Sequence, residues 1–416
     1  MQKKIINYKF KKFNTYNNKE LIAASRVIKS GNLSGFIASK KQGLAGGYFV
    51  EKFERKVEKF FKVKHAILVN SWSTGLTCAV GALGIEPGDE IILPTWTMTA
   101  CSAAILHWNA IPVFADIDPD SFCISIKSIK KLITKKTKAI MVVDIFGMPA
   151  NYSELKKVSK KHNLKIICDS AQSPGALYYG VHSATIGDIG GYSLNYHKHI
   201  HTGEGGILVT NSSTYAKRLR LLRNHAEAIM SKSSSKKNLI NMIGNNFRMG
   251  EIEAAIGIEQ LKKLNNIIKK RIKISNLKIS KLNKLPFLKL PKNYKNIKNV
   301  FYNIPILLEL NKIGHSRKKI KEELDKTGLQ GLAEGYVNLH KQPIFQKKIC
   351  YGSKGYPWKP HNTSIKYSKN NCLVAEKYHN ELLLAFQGIA LYELSKKNIN
   401  DIYKAFEFVW KKLKII

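Results

Sequence analysis

The stretch Gly191-Tyr-Ser193-Leu-Asn-Tyr-His-Lys198-His-Ile-His-Thr202-Gly203-Glu204-Gly205-Gly206 places a serine and a lysine ahead of a glycine-rich turn that runs into an apolar strand. Such a turn can hold an anion closely against free backbone N–H groups. A lysine partly desolvated there has a lowered pKa and is nucleophilic toward a carbonyl. The plainer reading is a tight turn beside a solvated lysine, and in a chain this rich in lysine the segment alone does not exclude it.

Working outward, residues 65–210 alternate short apolar runs with helical stretches. Strands are expected at Ala66–Val69, Glu90–Leu93, Ile111–Phe114, Ala139–Val143, Lys165–Cys168 and Gly206–Val209. Amphipathic segments such as Ser71–Leu83 and Tyr152–Lys161 lie between them. Strands that alternate with helices predict an α/β layer fold with a largely parallel sheet. Ligands of such sheets sit beyond the strand C-termini.

Before this region, residues 1–60 read as an arm plus a helix, with Phe49, Val50, Phe53, Val57 and Phe60 at helical spacing. After it, residues 249–285 read as one long helix rich in Ile, Leu and Lys. The segment 286–416 carries a strand-like run at Val300–Leu308, a Gly/Tyr/Pro-rich stretch from Leu332 to Pro360, and a helical end. The division expected is 1–270 for the arm and large domain and 271–416 for a smaller α+β domain.

The chain has 416 residues, with 69 Lys and Arg against 29 Asp and Glu, a formal charge of +40. A basic surface attracts polyanions. The lysines are scattered, however, and no aromatic-basic motif accompanies them, so no specific nucleic-acid partner is expected. A positive field would still help to collect a nucleotide-linked substrate. No apolar run reaches the roughly 18 residues of a spanning helix, and the N-terminus has no apolar signal region, so no membrane span and a cytoplasmic location are expected. The six cysteines lack C-x-x-C spacing and read as buried, reduced thiols.

Two further segments carry chemistry. Ile166-Ile-Cys-Asp169-Ser-Ala-Gln172 puts an acid at the end of an apolar strand, which is expensive unless the acid is paired. A protonated pyridine nitrogen is one good partner, and a helix N-cap is the other reading. Val69-Asn-Ser71-Trp72-Ser73-Thr74-Gly75 sets small hydroxyl residues where a strand turns into a helix. The free N–H groups there form either a phosphate cradle or a simple cap.

Taken together, the arrangement resembles the DegT/DnrJ/EryC1/StrS family of sugar aminotransferases from about Phe36 to Leu261. The family's Ser, four residues, Lys, then Thr-Gly-Glu-Gly-Gly is matched by Ser193, Lys198 and Thr202–Gly206. Its Asp-x-Ala-Gln is matched by Asp169, Ala171 and Gln172, and its Gly-x-Asn-x-Arg-Met-x-Glu by Gly244, Asn246, Arg248, Met249 and Glu251. The resemblance implies the type I fold of pyridoxal-phosphate (PLP) transferases, with PLP as cofactor and Lys198 as the lysine that bonds it. It implies Asp169 at the pyridine nitrogen and Gln172 near the ring oxygen. Ser71, Trp72, Ser73 and Ser193 would lie around the phosphate. Asn246 would reach the phosphate of a neighbouring subunit, hence a homodimer with shared sites. Glutamate as amino donor and a keto-sugar acceptor, nucleotide-linked, follow from the same resemblance.

The chain departs from the family pattern in several places. Trp72 replaces the usual Gly of the phosphate turn, His199 the usual Asn after the lysine, and Asp144 the His of a Val-His-x-x-Gly loop. Met98, with Trp96 nearby, stands where an aromatic residue usually stacks on PLP. His197, His199 and His201 alternate around Lys198 without completing a metal set, and no metal is expected. Some relatives carry His in the lysine place and become dehydratases, but the register here keeps a lysine. Substrate contacts are expected from Trp96, His199, Tyr336 and His340. Two other readings stay open: amination of a non-nucleotide keto substrate, and a basic binding protein on an aminotransferase-like fold.

Overall fold

The computed structural model describes residues 4–37, 44–226, 240–368 and 371–416. Its strands in chain order begin with β1 (His65–Val69), β2 (Glu90–Pro94), β3 (Ile111–Ala115), β4 (Thr137–Val143) and β5 (Lys165–Asp169). A surface hairpin, β6 (Leu177–Tyr178) and β7 (Val181–His182), precedes β8 (Ile189–Ser193) and β9 (Gly206–Thr210). The central sheet has seven strands in the order β1-β9-β8-β5-β4-β2-β3. Strands β3, β2, β4, β5 and β8 are mutually parallel. β9 runs antiparallel to both β8 and β1. All strands except β9 therefore end on one edge, and the loop from β8 to β9 returns along that edge. This is the mostly parallel α/β sheet that the strand–helix alternation predicts.

Strand β8 is absent from the sequence expectation, because Ile-Gly-Gly-Tyr-Ser has no run of apolar side chains. The glycines are there for close approach rather than for turning. A Cβ at Gly190 would strike the Ala184 carbonyl, and one at Gly191 the Ile207 carbonyl and the Trp72 ring.

Helix α1 (Asn18–Ser30) packs on the long helix Glu251–Leu282, and the helices α2 (Tyr48–Phe61), α3 (Trp72–Ala82), α4 (Thr99–His107), α5 (Ile126–Leu132), α6 (Tyr152–His162) and α7 (Ser213–Arg223) alternate with the strands. Helix α2 buries Val50, Phe53, Val57 and Phe61, one stripe at spacings of three and four. Its N-terminus is capped from afar, since the Glu251 carboxylate accepts from the N–H groups of Phe49 and Val50 at 2.7 and 3.2 Å.

A helix of 32 residues, Glu251–Leu282, spans about 48 Å at 1.5 Å per residue. Its first half packs Ala254, Ile258, Leu261, Leu264 and Ile268 with α2 and β9, and Leu282 joins a second core. That second core holds the sheet β10 (Leu288–Lys289), β12 (Ile304–Leu308), β14 (Leu383–Phe386) and β13 (Leu332–Ala333) and the helix Lys396–Lys412. The short β11 (Ile297–Lys298) pairs instead with β6.

Chain segments cross between the cores in both directions. Ile6 and Phe10 of the arm pack into the C-terminal core, whereas Leu339, Phe345, Trp358, Tyr367 and Cys372 pack into the large one. All six cysteines are free, five of them buried. Among the described residues, no helix is long and apolar enough to cross a membrane.

Gly191→Ala is expected to destabilise the protein by about 3 kcal/mol, the upper end for forcing a methyl group into packed space. Chemical denaturation of the variant against wild type measures this.

Candidate active site

The common edge of the parallel strands gathers four turns. β1 delivers Ser71 and the start of α3, β2 delivers Pro94–Met98, β5 ends on Asp169, and β8 ends on Ser193. The β8–β9 loop brings Lys198 back over this edge. Ligands of parallel sheets bind in such a place because loops and helix N-termini converge there.

Lys198 is 8% exposed. Its Nζ lies 4.6 Å from the centroid of the Tyr302 ring, and no described residue hydrogen-bonds it. Burial pulls its pKa down to about 8, against an opposing pull from the negative field of Asp169. Lysine and carboxylate thus share one enclosed space.

Asp169 is 4% exposed. Its Oδ1 accepts from the Trp72 indole Nε1 at 2.7 Å and the Ala171 N–H at 3.1 Å, and its Oδ2 accepts from the Cys101 thiol at 3.1 Å. All three donors are neutral. Among the described residues no cation forms an ion pair with it. Burial, then the charge of Asp169, raises the Cys101 pKa well above that of an ordinary thiol, so Cys101 remains a donor.

The indole reaches this carboxylate because two glycines clear its path. Added Cβ atoms at Gly75 and Gly191 would both run into the Trp72 six-membered ring. The departure from the family turn at position 72 is therefore an inserted side chain with a partner, and Gly75 and Gly191 are its counterparts.

Ser71 caps α3, accepting at Oγ from the Thr74 N–H at 3.2 Å. The first two N–H groups of α3, at Trp72 and Ser73, lie ahead of the helix's own hydrogen bonds. They point where an anion is favoured by the helix field. Ser193 is buried, its Oγ accepting from the Asn195 N–H at 3.2 Å. Gln172 bridges two loops: its Oε1 accepts from the Phe146 N–H at 2.7 Å and its Nε2 donates to the Tyr336 hydroxyl at 2.8 Å. Burial first, then the Tyr302 hydroxyl and Asp169, push the Tyr336 pKa upward. Tyr336, from the C-terminal part, therefore stands beside the site.

The other expected residues lie as follows. Met98 is 55% exposed at the mouth, as the N-cap residue of α4. Asn246 is exposed, its Oδ1 accepting from Arg248 Nε at 2.8 Å, and its carbonyl faces Asn70 beside the α3 turn.

Three residues read as substrate contacts are instead buried. Trp96 packs edge-on against Phe146 and Tyr336 and donates its indole N–H to the Tyr336 carbonyl. His199 pairs Nε2 with the Val300 carbonyl at 2.9 Å. His340 bridges Thr95 Oγ1 at 2.5 Å and Glu376 at 2.9 Å. Trp96 and His340 spend their ring nitrogens on holding the C-terminal segment against the sheet, whereas His199 gives Nε2 to the 300–302 turn and keeps Nδ1 without a partner among the described residues. Two residues that the sequence reading missed, Cys101 and Tyr302, line that space. Neither belongs to a motif, and only the meeting of distant segments reveals them.

The residues fit pyridoxal phosphate. A desolvated amine faces a buried carboxylate that has neutral donors, spare lone pairs and, among the described residues, no cation, and the helix N-terminus at Trp72 and Ser73 lies beside them. An aldehyde, a pyridinium nitrogen and a phosphate answer those three features. The fold and the site define a PLP-dependent aminotransferase of fold type I, with PLP as its cofactor. The chain belongs to the DegT/DnrJ/EryC1/StrS aminotransferase family, whose model matches residues 35–361.

Relatives agree with this. The chain is 33% identical over 311 residues to an uncharacterized protein of Methanocaldococcus jannaschii, covering 74% of this chain and 80% of that one. It is 32% identical over 302 residues to the GDP-perosamine synthase of Escherichia coli O157:H7, covering 73% and 80%. The X-ray structure of an aminotransferase from Psychrobacter cryohalolentis superposes with a TM-score of 0.83 at 24% identity, over 98% of this chain and 100% of that one, and shows the shared fold.

Trp72→Phe keeps most of the bulk but removes a donor from the buried carboxylate. It is expected to cost the cofactor-free protein about 2 kcal/mol, in the range for hydrogen bonds to charged groups. Cys101→Ala removes a weaker donor and should cost less. Urea denaturation of both variants ranks them, and equal stability of Trp72→Phe and wild type would count against the bond.

Proposed function

We propose that this aminotransferase moves an amino group from glutamate to a keto-sugar, nucleotide-linked, in amino-sugar biosynthesis, and that it does so as a homodimer with shared sites. The observation that carries the reading is the buried Lys198 amine facing a carboxylate with no cation of its own. The sugar and its nucleotide link draw support from the GDP-perosamine synthase relatives.

When bound, PLP supplies the aldehyde that receives the amino group and a ring that takes up the electron pair left on the donor's α-carbon. The protein's own residues make that possible. Lys198, with a pKa near 8, is neutral in an appreciable fraction of molecules near neutral pH. Its amine can attack a carbonyl and later carry a proton between carbon atoms as general base and acid. The Tyr302 ring keeps water off one side of that amine. Asp169 would hold a proton on the ring nitrogen of the bound cofactor, and Trp72 and Cys101 fix the carboxylate's orientation in advance. The N–H groups of Trp72 and Ser73, with Ser71 and Ser193 and with Asn246 of the partner subunit, would receive the phosphate. Gln172 and Tyr336 form the wall on the C-terminal side, and Met98 borders the entrance.

Lys198→Ala is expected to abolish the visible absorbance of the lysine-bound cofactor and to lower amino transfer at least 10³-fold, within the span of acid–base catalysis. An absorbance spectrum and a single-turnover assay with glutamate check both, and full activity would overturn the mechanism. Asp169→Asn should keep the cofactor and react far more slowly, because an amide cannot hold the ring proton. The lysine's pKa also fixes a pH dependence. Rebinding of PLP to cofactor-free protein should speed up as pH rises through about 8, where Nζ loses its proton, and level off above. Stopped-flow absorbance measures that profile. Mass-spectrometric screening of nucleotide-linked keto-sugars with glutamate tests the substrate class.

A further inference from the structure

Tyr302 belongs to the C-terminal part, in the turn that leads into β12, yet its ring lies beside the Lys198 amine. Two contacts bring it there. The N–H groups of Val300 and Tyr302 donate to the carbonyls of Gly147 and Phe146 at 3.1 and 2.8 Å. His199 pairs Nε2 with the Val300 carbonyl at 2.9 Å. The first contact requires a glycine, because a Cβ at Gly147, whose φ is +93°, would lie 2.8 Å from the N atoms of Phe301 and Tyr302. Phe301 takes φ +50°, and the neighbouring side chains part. Phe301 enters the C-terminal core, and Tyr302 turns its ring to Lys198.

Lys198 Nζ stands 4.6 Å from the centroid of that ring, and both residues are buried. Burial disfavours the charge on Nζ, whereas Asp169 at the end of β5 and Cys101 on α4 favour it. His197 and His199 of the same loop are held neutral, chiefly by burial, with the Arg271 charge from the long helix adding to this. Tyr336 of the C-terminal segment keeps its proton, again chiefly by burial. Burial likewise raises the Tyr302 pKa, against the opposing charge of Arg271. Tyr302 therefore meets Lys198 as a neutral ring face.

We propose that Tyr302 is a positioning residue for amino transfer, whose ring face holds the Lys198 ammonium while that amine carries a proton. The inference rests on the reading of Lys198 as the amine that bonds the cofactor. An amine that moves a proton between carbon atoms is an ammonium for part of each cycle. A buried ammonium is costly without compensation, and an aromatic face offsets part of that cost through its quadrupole. The face has no atom that accepts the proton, so the charge is stabilised and the proton stays on Nζ for delivery.

The test uses the full-length chain. In the cofactor-free protein, competitive acetylation read by peptide mass spectrometry gives the pKa of Lys198. Tyr302→Phe keeps the ring face and is expected to keep that pKa. Replacing this phenylalanine by its mono-, di- and trifluoro analogues preserves shape and weakens the quadrupole. Because the face favours the charged form, the pKa should fall stepwise, by about one pH unit across the series. An unchanged pKa across the folded series would overturn the proposal. If the variants do not fold, proton NMR of the wild-type chain decides. The ring current should shift the methylene protons beside Lys198 Nζ upfield, assigned by their loss in Lys198→Arg, and unshifted protons would remove the contact on which the proposal stands. Failure of the Lys198 reading shows separately, as visible absorbance of the lysine-bound cofactor persisting in Lys198→Ala.

Discussion

A carboxylate at the buried end of a strand, with no cation bonded to it, constrains everything around it. Taking Asp169 out of water costs several kcal/mol unless its oxygens are occupied. The chain occupies them with an indole N–H, a thiol and a backbone N–H, all neutral. Neutral donors fix the carboxylate's orientation without cancelling its charge, so the charge remains available to a positively charged group arriving from the open side. The demand propagates into the sheet. Trp72 reaches Asp169 only because Gly75 and Gly191 carry no side chain, and Gly191 does so while serving as a rung of β8.

Topology supplies the other half of the arrangement. Five mutually parallel strands and β1 point their ends at one edge, and β9 alone runs back from it. The loop joining β8 to β9 must therefore cross the strand ends, and Lys198 rides on that loop. The C-terminal segment closes the space from outside. Leu339 donates its N–H to the Thr95 carbonyl, His340 is wedged between Thr95 and Glu376, and Gly335 lies against Trp96. This segment brings Tyr336 to Gln172 and helps to exclude the water that would otherwise restore the lysine to its ordinary pKa.

Most of the 69 basic residues lie in solvent, where a positive charge costs little. The buried ones sort by what faces them. Arg223 meets Glu54 and holds α7 against α2. Lys198 faces Asp169 across the space where PLP fits. Arg271 and Lys278 lie over the rings of Phe13 and Phe386, with no hydrogen-bond partner among the described residues. The surface excess of charge arises from composition, whereas buried Arg223 and Lys198 are each set against a carboxylate.

The sequence alone carried the strand–helix alternation, most strand positions to within a residue or two, and the motifs centred on Lys198, Asp169 and Ser71. Those features are local: apolar period, turn chemistry and spacing are written in consecutive residues. What it did not carry was anything that depends on segments far apart in the chain. Gly190 and Gly191 gave no strand signal because their crowding by Ala184, Ile207 and Trp72 exists only after folding. His199, Trp96 and His340 read as substrate contacts, and their burial against Val300, Tyr336 and Glu376 is visible only in the fold. Cys101 and Tyr302 gave no signal, since a thiol in an apolar helix and a tyrosine after a strand are ordinary until one meets a carboxylate and the other an amine. The type of chemistry was legible in consecutive residues, and the packing around it was decided by tertiary structure, because burial and hydrogen-bond partnership are properties of pairs that the chain brings together only when it folds.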